Sequence, residues 1–149
     1  MLAHAKFTDA GAPHLAKLTK LKGLEVGAAK ATPQSLRHIA KLPLEYLQLG
    51  EGFDSSACFP LIKDIATLRR LTLTNAQAIT DADLQVIAGL TQLEHLEIGK
   101  MPLSDERIPA LKPFAFLKSM RLVPVKTPFT AEQQVKIQSV LPKTTLTFK

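Results

Sequence analysis

The strongest constraint in this sequence is a period. The stretch Leu68–Leu93, LRRLTLTNAQAITDADLQVIAGLTQL, reads as a strand carried by Leu68, Leu71 and Leu73 and a polar corner at Asn75. A capped helix follows from Thr80 through Leu84, Ile87 and Leu90, and then the next strand begins. One such unit cannot bury its own apolar face, so it is stable only when stacked on others like it. The others are present. The spacing L-x-x-L-x-L recurs at Leu21/Leu24/Val26, Leu44/Leu47/Leu49, Leu68/Leu71/Leu73, Leu93/Leu96/Ile98 and Leu117/Met120/Leu122, with a degenerate copy at Lys143/Leu146/Phe148. First positions are separated by 23, 24, 25, 24 and 26 residues.

The helical half keeps the same beat. Helix starts are predicted at Thr8, Thr32, Ser55, Thr80, Ser104 and Thr130, each a hydroxyl residue suited to accept a hydrogen bond from a first-turn N–H. Asp9, Asp81 and Asp105 favour the positive end of the helix dipole. Pro33 follows Thr32 where its missing N–H is harmless, and Thr130 and Gln133 have capping-box spacing. Apolar trios share one helix face: Ala12/Leu15/Leu18, Leu36/Ile39/Leu42, Phe59/Ile62/Ile65, Leu84/Ile87/Leu90 and Ile108/Leu111/Phe114. Phe7, Ala31, Ile79, Leu103 and Phe129 precede the caps as staples into the core, whereas the third cap follows Asp54 and Phe53, one residue out of register. Pro109 falls inside the fifth helix and should shorten or distort it toward a 3₁₀ turn. The last helix presents a different apolar face, Ile137, Val140 and Leu141, as terminal repeats do.

With this frame, the run LRRLTLTNAQAITDADLQVIAGLTQL resembles a leucine-rich repeat, with Leu68, Leu71 and Leu73 in the strand and Asn75 at the corner. The ITDADLQVIAGL half resembles the ribonuclease-inhibitor-like and cysteine-containing subtypes, and repeat proteins of bacteria. FTDAGAPHLAKL, ATPQSLRHIAKL and MPLSDERIPALKPF match the same template, and TAEQQVKIQSVLPKTTLTF is similar to the closing repeat of such bacterial proteins. The resemblance implies an α/β fold: a right-handed solenoid, a horseshoe arc with about six parallel strands on its concave face and about six helices on its convex face. The chain then forms one leucine-rich repeat domain over residues 1–149, with 1–20 as an N-terminal half-repeat or cap helix, 21–142 as repeats and 143–149 as the closing strand. No strand is predicted before Phe7; a terminal cap is preferred to a cut from a longer chain. The corner residue is Asn only at Asn75, being Ala28, Glu51, Lys100 and Pro124 elsewhere, so no continuous asparagine ladder is expected.

The two-residue period of a strand points the residues between the leucines outward. One outward column is Glu25, Gln48, Thr72, Glu97, Arg121 and Thr147; the column before it is Gly23, Tyr46, Arg70, His95, Ser119 and Thr145. Six strands about 4.8 Å apart make a face roughly 24 Å across, room for part of a protein interface. Binding energy concentrates in Tyr, Trp and Arg, so the candidate partner-binding residues are Tyr46, Arg70 and Arg121 with Gln48, Thr72, His95 and Glu97 as polar company. The alternative is that these are ordinary solvated strand positions. A further row, Lys22, Glu45, Arg69, Glu94 and Lys118, alternates in sign and is expected to pair across strands as a surface ladder worth little per pair.

Motifs for chemistry do not emerge. No HExxH, paired-His zinc spacing or GxSxG occurs. His14 and His38 share the helical slot of Val86 and are expected to half-bury against a neighbouring helix. Gly50-Glu51-Gly52 reads as the loop leaving a strand rather than a phosphate cradle, and the acidic TDAD run as capping rather than a cation site. Cys58, the single cysteine, reads as an ordinary thiol on a helix, excludes an intrachain disulfide and suits a reducing compartment. Net charge is +6, but the 19 basic residues are scattered, with Arg69–Arg70 singled out as their longest run, whereas a nucleic-acid module concentrates them on one face. No apolar run approaches a membrane span or a signal-peptide core. The expectation is a cytoplasmic, monomeric, non-catalytic protein-binding module, with no cofactor or metal, no membrane and no nucleic-acid partner, whose protein partner is unidentified. The alternative is a structural or accessory repeat domain acting within a larger protein.

Overall fold

Strands form where the leucine spacing places them, because every second side chain can then enter one core. The computed structural model describes the chain apart from Lys6, Ala28 and Ala29, and for Leu2–Ala5 describes the backbone only. Seven strands, β1 (Leu2–Ala5), β2 (Gly23–Val26), β3 (Tyr46–Leu49), β4 (Arg70–Leu73), β5 (His95–Gly99), β6 (Ser119–Val123) and β7 (Thr145–Phe148), form one open sheet in sequence order. Every neighbouring pair is parallel. The register is that of the sequence period: Leu24, Leu47, Leu71, Leu96, Met120 and Leu146 lie side by side.

β1 corrects the expectation that no strand precedes Phe7. Leu2 lies opposite Leu24, yet Ala5, three positions on, lies opposite Val26, only two positions on. This irregularity breaks the two-residue alternation by which a strand is recognised in sequence. The other end is also shifted. Lys143 was expected at the first leucine position of the closing copy, but it is exposed and Thr144 is buried in its place. The Thr144 N–H donates to the Leu141 carbonyl at 3.2 Å, as Leu117 does to Phe114 and Leu93 to Leu90.

Between the strands lie α1 (Ala12–Leu15), α2 (Leu36–Ile39) entered through a 3₁₀ turn over Pro33–Ser35, α3 (Phe59–Ile62), α4 (Asp81–Ala88), a 3₁₀ helix over Asp105–Phe114 and α5 (Ala131–Val140). The predicted effect of Pro109 holds, since the whole of Asp105–Phe114 winds as 3₁₀. Strand and helix residues share one core cluster, in which Leu47, Leu71, Ile39, Ile62, Ile87, Leu111 and Phe114 are fully buried. The sheet thus has a helical layer on its leucine face. The first trio is the exception: Ala12 is buried but Leu15 is half-buried and Leu18 is 44% exposed. α1 packs on α2 alone among the helical segments, whereas α2, α3 and α4 are flanked on both sides. His14 on that end helix is exposed rather than half-buried as expected, while His38 is half-buried.

The hydroxyl residues Thr32, Thr80, Ser104 and Thr130 stand at helix N-caps, but only the Thr80 and Thr130 side chains accept the expected hydrogen bond, each in a capping box with Asp83 or Gln133; those of Thr32 and Ser104 do not. Thr8 and Ser55 are not the helix N-caps, although the Thr8 hydroxyl accepts from the Gly11 N–H at 3.3 Å. α1 starts from Gly11 and α3 from Cys58, because turns intervene; the Thr8 carbonyl receives the Gly11 and Ala12 N–H groups, and the Ser55 carbonyl that of Cys58. Cys58 is therefore buried at a helix entrance rather than on the helix, and burial pushes its thiol up.

Just past the strand ends the backbone ladder continues for one more bond. The Gly50 N–H donates to Val26, Thr74 to Leu49 and Lys100 to Val123, while among the described residues the Asn75 side chain accepts from the Gln77 side chain. The corner position Ala28 lies outside the described residues. At Gly99 a β-carbon would lie 2.6 Å from the Thr74 carbonyl oxygen, so that position admits no side chain without moving the backbone.

The helix starts are also tied to one another. Asp9 accepts from the Thr32 N–H at 2.8 Å, Asp83 from the Ser56 hydroxyl at 2.7 Å, Asp81 from Arg107 at 2.6 Å and Asp105 from Gln133 at 3.3 Å. Asp83 is buried at the centre of this lacing. Burial alone would raise its carboxyl, but hydrogen bonds from the Thr80 N–H, the Ser56 and Thr80 hydroxyls and the nearby Arg107 charge outweigh it and hold the group below the usual carboxylate range. Asp83→Ala is expected to cost about 2 kcal/mol, by loss of the box and of Ser56's partner. Because the folded carboxyl titrates below the unfolded one, its contribution is full above about pH 5 and is lost as the pH falls through the folded value. Urea unfolding of wild type and variant across pH should show a difference that shrinks only on the acid side.

Candidate functional site

The face of the sheet opposite the helical layer carries the residues between the leucines, and their register is that deduced from sequence. Gly23, Tyr46, Arg70, His95, Ser119 and Thr145 are opposite one another in turn, as are Glu25, Gln48, Thr72, Glu97, Arg121 and Thr147. Parallel pairing in a constant register stacks identical positions of successive strands, so residues about 24 apart in sequence become neighbours.

Over β3, β4 and β5 this face sinks into a depression of about 610 Å³. Six of the seven candidates line it: Tyr46, Gln48, Arg70, Thr72, His95 and Glu97. Arg121 lies outside, one strand further, where its Nη1 approaches Glu97 Oε2 at 3.4 Å. Arg121 Nε is buried and has no hydrogen-bond partner among the described residues.

Within the depression the polar groups are mutually organised. The Tyr46 hydroxyl donates to Gln48 Oε1 at 2.9 Å, two positions along the same strand. Burial and then the Glu25 charge push the Tyr46 phenol above its usual range, against a lowering hydrogen bond with Thr72. Thr72 is 8% exposed at the floor, although its position faces away from the leucines, because taller neighbours cover it. His95 Nδ1 meets the Ser119 hydroxyl at 2.7 Å. Arg70 is exposed at the centre; its backbone N–H donates to the Glu45 carbonyl, but its side chain forms no hydrogen bond or ion pair with a described residue.

The charge-alternating row forms the rim at the entry ends of the strands. Lys22 pairs with Glu45 at 3.0 Å and Lys118 with Glu94 at 2.6 Å. Lys118 holds the Glu94 carboxyl below its usual range. Arg69 breaks the expected pairing: its Nη1 donates to the carbonyls of Ala66 at 3.2 Å and Gln92 at 3.3 Å. Glu45, Arg69 and Glu94 thereby become walls of the depression, a role not assigned to them from sequence. Thr74 was also missed; it lies two positions beyond Thr72, and that parity was the available signal. Met1 joins the lining with no sequence signal at all.

Other sequence features do not converge on a site. Gly50-Glu51-Gly52 is a turn with Gly52 at φ +85°, as expected of the loop leaving β3. Among the described residues no group of three or more His, Cys, Asp and Glu is placed to hold a metal ion. Among them, too, no helix is long and apolar enough to cross a membrane. Neither a protein-family model nor a curated protein matches the chain.

Two outcomes test this geometry. Tyr46 is the single tyrosine and there is no tryptophan, so ultraviolet titration follows one phenol. Its midpoint should lie above the ordinary value of about 10, and Glu25→Gln should lower it. A raised folded value means that this group's stabilising contribution is present below about pH 10 and is lost as the pH rises through the folded midpoint. Arg70→Ala, which removes no hydrogen bond or ion pair with a described residue, should change unfolding free energy by less than about 0.5 kcal/mol in urea.

Proposed function

We propose that this chain is a leucine-rich-repeat solenoid, similar to the ribonuclease-inhibitor-like type, and that it works as a non-catalytic protein-binding module. The partner docks on the outward face of the parallel sheet, which in such a solenoid is the concave side. The observation that carries this reading is the depression over β3–β5, where the register gathers Tyr46, Arg70 and His95 as neighbours on adjacent strands. An aromatic and an arginine grouped in a recess have the composition in which interface energy concentrates. The helical layer shields the other face, so the sheet's free side is the surface on which side chains vary without disturbing the core. A monomer in a reducing compartment such as the cytoplasm suits a lone, buried Cys58.

A second reading is a structural or accessory repeat domain within a larger protein. It is favoured by β7, which among the described residues has β6 as its one neighbour and leaves Leu146 and Phe148 half-buried. Affinity capture from the source cell separates the two. Wild type and the helix-side variant Arg37→Ala should recover the same partner, and an Arg70→Ala/Arg121→Ala double variant should lose it. Equal recovery by all three would remove the sheet face from consideration.

A further inference from the structure

Charge pairing across the depression is complete but for one group. Glu45 is held by Lys22, Glu94 by Lys118 and Glu97 by Arg121. Arg69 is turned back onto backbone carbonyls, and His95 is engaged by Ser119. Among the described residues lining the depression, Arg70 is the charged side chain with neither a hydrogen bond nor an ion pair. It stands on the middle strand of three, with Tyr46 and His95 in register on either side.

A guanidinium is a planar fork of donors that matches a carboxylate bidentately, and it is more weakly hydrated than an ammonium. The carboxylates on the walls already have cations of their own and do not compete for it. We propose, resting on the docking reading above and deepening it, that the partner is a protein segment presenting one Asp or Glu side chain to Arg70. A single carboxylate meets the unpaired cation. A nucleic-acid backbone, charged at every step, calls for a row of available cations, whereas Lys22, Lys118 and Arg121 are already engaged by Glu45, Glu94 and Glu97.

The test is selection of a displayed library of random short peptides on the full chain, followed by affinity measurement with the recovered peptide. The peptides should share one Asp or Glu position. Replacing that residue by its amide, or Arg70→Gln in the protein, should each weaken binding about 10- to 100-fold. Both changes together should cost little more than either alone, and Arg70→Lys should restore part of the loss. Thr74→Trp, at an exposed rim position, should block the depression and abolish binding. Peptides lost to Thr74→Trp but indifferent to Arg70→Gln would overturn the acidic anchor and leave the docking face standing. Peptides indifferent to both, or no peptides at all, would overturn both readings. Tighter binding of a single-stranded RNA oligonucleotide than of the peptide would replace the acidic segment with nucleic acid.

Discussion

Everything in this molecule depends on parallel strands pairing in one constant register. Each inward leucine is stacked between the equivalent residues of its neighbours, so the core is a set of columns rather than a set of isolated contacts. A slip of one residue would turn an entire strand's apolar side chains to the wrong face, so burial of Leu47, Leu71 and Leu96 enforces the register, and the register places Tyr46, Arg70 and His95 together. Site geometry is in this sense a by-product of core packing. The residues forming the depression need no contacts of their own to find one another, which leaves them free to differ from strand to strand.

The strand period and the outward columns were legible because they require nothing but alternation and spacing. Helix entrances were less so. Thr80 and Thr130 cap as their spacing implies, since each has a box partner three residues on. Thr8 and Ser55 lack such a partner, with Gly11 and Cys58 three residues on, and each opens a turn that delays the helix. β1 was hidden by its irregular step, and Thr144 by a one-residue shift of the buried position just before the closing strand, which itself keeps register. Both departures lie at the ends of the sheet, where one flanking neighbour rather than two enforces the period.

The depression itself was half legible. Parity predicted which side chains share a face, but the recess depends on their relative heights and on where Arg69 turns. Arg69 was expected to join an alternating ion-pair row; instead the carbonyls of Ala66 and Gln92 capture it, and that contact is visible only once the loops before β4 and β5 are adjacent. Likewise the lacing of Asp83 to Ser56 and of Asp81 to Arg107 joins positions 26 or 27 residues apart, so it depends on the fold that it reinforces.

The uneven step in β1 bears on self-association. A parallel sheet with two open edges invites head-to-tail growth, in which one molecule's last strand adds to another's first and the columns continue without limit. Growth of that kind needs an edge whose positions keep step with the incoming strand. β7 keeps step with β6, but β1 advances three residues where β2 advances two. The first edge is therefore a less regular template than the last, and the same irregularity that hid this strand from the sequence period works against growth along it.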